Sequence, residues 1–155
     1  MIRAGLILLA LLAPASGREA IGVWHGWGAF RESDPARCFA VAMPIRHGTG
    51  AFARVATWPA RGIRNQITLR LSRPVRDGLA PTLSIDERRF TLTARGSEAW
   101  ASDARTDAAI VAAMRSARSM SVSGVGASGL PFADTYALPG AASAIDAAAL
   151  ACLDR

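Results

Sequence analysis

The chain has 155 residues and a formal net charge of +6, with arginine as its only basic residue type besides two histidines. That length suits one domain with a real core and is short for two. The basic balance raises nucleic acid as a partner, but the arginines scatter among acids and only Arg88 and Arg89 are adjacent, so nucleic acid is not expected. The absence of lysine beside abundant alanine reads as compositional bias, although arginine does bind anionic partners well.

At the start, Met1-Ile2-Arg3 supplies one positive charge and Ala4 to Ala13 is an unbroken apolar or small-residue run. Ten such residues fall short of the roughly 20 that cross a bilayer as a helix. Pro14 and the small residues up to Gly17 offer cleavage sites, so 1–17 is expected to be a signal peptide, cut near Ala15 or Gly17. No cysteine follows the run directly, so lipid attachment there is not indicated. The remaining 18–155 is expected to be one exported domain, not integral to a membrane.

Val23 to Phe30, Cys38 to Met43 and Ala51 to Trp58 are apolar stretches separated by polar, Gly or Pro segments, which is the spacing of an all-β chain. The aromatic-rich Trp24-His25-Gly26-Trp27-Gly28-Ala29-Phe30 could stack on a sugar or peptide, but core packing is the better reading, since large aromatics dominate small β cores. Gln66 to Ser72 alternates without a fault and places Ile67, Leu69 and Leu71 inward. Leu83 and Ile85, then Phe90 and Leu92, flank Asp86-Glu87-Arg88 as a hairpin with a polar turn. Asp103 to Arg118 carries Ala109, Ile110, Ala113, Met114 and Ala117 at helical spacing, with Asp103 or Thr106 as its cap.

Gly124, Gly126 and Gly129 then spell G-x-G-x-x-G, the fingerprint of a dinucleotide loop. Such a loop must open a helix whose N-terminal N–H groups hold the pyrophosphate. Here Leu130-Pro131-Phe132 follows at once and Asp134 to Leu138 is strand-like, so the glycines are expected to link two late strands and no cofactor is expected. Gly126-Ala127-Ser128-Gly129-Leu130 likewise misses the hydrolase elbow G-x-S-x-G by one residue. Nothing in the spacing of His25 and His47 pairs either with a nucleophile or an acid, and two distant histidines with two distant cysteines make no local metal set. Asp134 and Asp146 are read as turn or helix-start residues rather than a carboxylate pair. No catalytic, cofactor or metal residue is therefore assigned.

Ala141 to Leu153 has strong helix propensity, with Ile145, Ala148, Leu150 and Cys152 available to pack and Gly140 before it. Cys38 and Cys152 are the only cysteines, and an even count in an exported chain favours a disulfide between them. Two separate buried thiols are the alternative.

Taken in order, Trp27-Gly28-Ala29-Phe30, Arg37-Cys38-Phe39-Ala40-Val41, Trp100 with Asp103 and Asp107, Ile110 to Met114, and Asp134-Thr135-Tyr136-Ala137-Leu138 before a terminal cysteine helix form a pattern. In this combination the chain resembles the invasion-associated locus B family of exported bacterial proteins. The resemblance spans essentially the whole of 18–155. It implies an immunoglobulin-like antiparallel β-sandwich, periplasmic or secreted or in the outer envelope, to which the residues add two α-helices, one between late strands and one C-terminal, and it transfers no catalytic residues. Pro139-Gly140-Ala141 stands where the family commonly has Gly-Phe, and Asp86-Glu87-Arg88 replaces an expected glycine turn. The function expected is that of a non-enzymatic envelope protein that binds an envelope or host protein, or an anionic surface component. A hydrolase with a dispersed His/Ser/Asp site and a structural or stress-protective periplasmic protein are the alternatives.

Overall fold

A computed structural model describes residues 17–46 and 48–153; the expected signal peptide and His47 thus lie essentially outside the described residues. The chain is mainly β, with two antiparallel sheets and two helices in a sandwich-like arrangement. Strands β1 (Arg18–Trp24), β2 (Trp27–Ser33), β3 (Ala36–Ala42), β4 (Phe52–Trp58) and β5 (Ile63–Arg70) form a meander. The chain then crosses to a second sheet with the hairpin β6 (Thr82–Ile85) and β7 (Arg88–Thr91), and returns through the hairpin β8 (Thr93–Arg95) and β9 (Glu98–Trp100), which extends the first sheet from β5. Helix α1 (Ala104–Met114) precedes β10 (Ser119–Val125) and β11 (Pro131–Ala137), which complete the second sheet, and α2 (Ala141–Ala151) closes the fold. The orders are β1-β2-β3-β4-β5-β9-β8 and β11-β10-β6-β7.

Alternation decides which way each strand faces. In β5, Ile67 and Leu69 are fully buried, as is Leu71 just beyond it, while Arg70 is exposed, because successive side chains of a strand point to opposite faces. The same side of the long sheet carries Trp27, Ala29, Cys38, Ala40 and Val55, which share one core with Leu83, Ile85, Met120 and Val122 of the short sheet. Helix α1 packs on β5, and α2 lies across β1 to β4 on this inner side. Cys38 of β3 and Cys152 just after α2 form the expected disulfide, with Cα atoms 5.9 Å apart.

Several boundaries differ from the sequence reading. Val23 to Phe30 is two strands rather than one, because His25 adopts a φ of 53° and, with Gly26, makes a tight turn that pairs Trp24 with Trp27. Trp27 is fully buried and donates through Nε1 to the Ala137 carbonyl at 2.8 Å, whereas Phe30 points to the opposite face of the sheet from Trp27. The hairpin at Asp86-Glu87 and the cap at Asp103, which accepts from the Thr106 N–H at 2.7 Å, are as expected. Asp134 is neither in a turn nor at a helix start. It sits inside β11, buried, and accepts from the Ser72 N–H at 2.8 Å, satisfying a backbone donor where the chain leaves β5. Asp146 lies within α2 and pairs with Arg115 beyond the end of α1. Asp107 plays the part of Asp134 for the Ile67 N–H, at 2.8 Å. Burial pushes its carboxyl upward against that hydrogen bond.

Candidate functional site

With α1, α2 and the short sheet all on the inner side, the outer face of the long sheet is left open among the described residues. Cross-strand register determines what this face carries. One row runs Arg18, Glu32, Arg37 across β1 to β3; the next runs Ala20, Phe30, Phe39, Ala56, Gln66. A third runs Val23, Gly28, Val41, Arg54, Thr68, Trp100, and a fourth joins Phe52, Arg70, Glu98 and Arg95. Five arginines thus share the face with two glutamates, a net excess of three positive charges.

The rings hold the guanidinium groups in place. The Arg37 guanidinium lies 5.2 Å from the Phe39 ring centre and 5.1 Å from that of Trp58; Arg18 lies 5.6 Å from Phe39, Arg61 5.5 Å from Trp58, and Arg54 5.7 Å from Phe52. Phe30 stacks on Phe39 at 5.6 Å, and Trp58 Nε1 donates to Gln66 Oε1 at 3.1 Å. A guanidinium lying over a ring is attracted by the ring's negative face, and its N–H groups match the geometry of planar oxyanions.

Glu32 occupies the middle of the first row and accepts from Arg18 and Arg37. The Arg37 hydrogen bond, opposed by burial and helped by Arg18, holds its carboxyl below the usual glutamate range. A depressed carboxylate stabilises the fold above its unfolded pKa, and that contribution is lost as pH falls through the folded value. Glu32→Gln is therefore expected to cost about 1–2 kcal/mol near neutral pH. The gap to the parent should close when thermal melts are repeated well below pH 4.5, the ordinary glutamate value.

Arg54 stands apart from the other arginines of the face. It is half-buried on the central strand, and its Nε is enclosed without a hydrogen-bond partner among the described residues. Burial first, and then repulsion from Arg37, lower its pKa from the ordinary arginine value. Glu32 is engaged by Arg18 and Arg37, and Glu98 accepts from Arg70 at 3.0 Å. Among the described residues Arg54 thus has no carboxylate in contact. Among the described residues Tyr136 Oη is the other enclosed polar side-chain atom without a partner, but Tyr136 is fully buried in the core.

The residues weighed for chemistry in the sequence are dispersed. His25 is exposed at the tip of the β1–β2 turn. Gly126 and Gly129 form the β10–β11 turn, closed by the Gly126 N–H to the Leu130 carbonyl at 2.8 Å, with Gly129 at a φ of 86°. Two open clefts of about 610 Å³ flank the fold, one between α2 and the β4–β5 connection and one beside Ser72 and Asp134; neither is lined by His25. Among the described residues no three His, Cys, Asp or Glu side chains gather as metal ligands would. No family model, curated protein or solved structure matches the chain.

The arginine face escaped the sequence reading because Arg37, Arg54 and Arg70 are far apart along the chain and meet only through strand pairing. A local signal did exist. Arg37-x-Phe39 and Phe52-x-Arg54 place an arginine and a ring two residues apart, the spacing that puts both side chains on one face of a strand.

Proposed function

We propose that this chain is an exported, non-enzymatic envelope protein of the invasion-associated locus B type that binds an anionic surface component through the open face of its long sheet. The observation that carries this reading is Arg54, a half-buried arginine with no carboxylate in contact among the described residues, set among ring-supported guanidinium groups. Leaving a desolvated donor unsatisfied is costly. The enclosed Nε is beyond an outside ligand, but an oxyanion arriving at the half-buried group would balance its charge and offset the repulsion from Arg37.

Export is supported by the charged start and short apolar run of 1–17 and by the Cys38–Cys152 bond, since structural disulfides persist in oxidising compartments. No described helix is long and apolar enough to cross a membrane. The family reading rests on the ordered motifs and on the cysteine strand joined to the terminal cysteine helix.

Retention on an immobilised sulfated polymer tests the binding reading. The parent protein should elute at a defined salt concentration, Arg54→Gln earlier, and the charge-matched control Arg89→Gln, on the β6–β7 hairpin of the short sheet, close to the parent. Equal shifts for both variants would mean that net charge, and not this face, binds the polymer.

A further inference from the structure

Resting on that reading, we infer that the occupant of the open face is the surface of an anionic phospholipid bilayer, with the sheet lying flat upon it. The face combines two features that a bilayer surface matches together. Guanidinium groups lie against Phe39, Trp58 and Phe52, and Arg70 and Arg95 beside them are exposed, a set of donors suited to phosphate oxygens. At the other corner, Val23 is 70% exposed in the Arg54 row, and Met43, 63% exposed, falls on the Val41 side by alternation where β3 ends. Apolar side chains beside phosphate-binding arginines fit the boundary between headgroups and acyl chains.

Size and charge agree. Seven strands at about 4.8 Å spacing make a face roughly 29 Å across, broad enough to meet many headgroups at once. The net excess of positive charge on it complements the negative potential of anionic leaflets. A soluble acidic polysaccharide matches less well. It has no use for Val23 and Met43, and the rings it would stack on are covered by guanidinium groups at Phe39, Trp58 and Phe52.

The test uses the chain from Gly17 onward, which holds every described strand and helix and lacks the apolar run that could itself enter a bilayer. Cosedimentation with mixed phosphatidylglycerol–phosphatidylcholine vesicles should show salt-sensitive binding, with little to pure phosphatidylcholine. Arg70→Gln/Arg95→Gln alters two exposed arginines of the face and should weaken binding about 30-fold. Arg88→Gln/Arg89→Gln should bind as the parent does. Val23→Ser/Met43→Ser should weaken the binding that remains at high salt. Circular dichroism melts should match the parent for all three double variants. Equal weakening by the two arginine pairs would overturn the proposal. Binding to soluble polygalacturonate but not to vesicles would overturn the lipid assignment and leave the anion-binding face standing. Binding to none of these polyanions would overturn both.

Discussion

Removing the Cys38–Cys152 bond, by Cys38→Ala/Cys152→Ala, should lower the unfolding free energy by about 4–5 kcal/mol on the chain-entropy account, an upper figure for a crosslink of this span. The bond joins residues 114 apart in sequence and fastens the end of α2 to β3. The helix needs such a fastening. Its inward residues are Ala141, Ala144, Ile145 and Ala148, so it removes little apolar area from water per turn. Urea titration of the parent with and without reductant, beside the double variant, measures the effect. The reduced parent and the variant should have coincident midpoints well below that of the oxidised parent. A loss under about 1 kcal/mol would show that packing alone holds α2.

Gly140→Ala should be nearly as damaging, at about 3 kcal/mol or more, although it adds only one carbon. Gly140 precedes α2 with a φ of 89°, a conformation that costs an L-residue about 1–2 kcal/mol. A Cβ there would lie 2.1 Å from the Trp24 carbonyl oxygen, and that atom is backbone. Relief requires moving either α2 or the end of β1, and the two are packed together. Melting temperatures of Gly140→Ala and Gly62→Ala separate strain from clash. Gly62 also has positive φ, at 63°, but open space where a Cβ would go, so its variant should lose only the conformational part.

Where burial is one-sided and local, sequence and structure agree. The alternation of Gln66 to Ser72 foretells which side of β5 is buried, because a strand with one wet face must separate its residues by parity. The caps and turns at Asp103, Asp86 and Gly129 are likewise local chemistry. Features fixed by distant partners were not readable. β8 and β9 have three residues each, too few to show a period, and exist because β5 offers an edge to pair with. Asp134 reads as a turn residue until Ser72, 62 positions earlier, presents its N–H. The candidate site is the extreme case. Every arginine on it looks like ordinary surface charge along the chain, and the arrangement arises from the register of seven strands.

The most direct measurement of the central claim is arginine footprinting: modification by phenylglyoxal, read residue by residue by mass spectrometry, with and without phosphatidylglycerol-containing vesicles. The account predicts that Arg37, Arg54, Arg70 and Arg95 of the open face become protected together on binding, while Arg88 and Arg89 of the short sheet react at unchanged rates. Protection of Arg88 and Arg89, with the four on the long sheet still reactive, would contradict it.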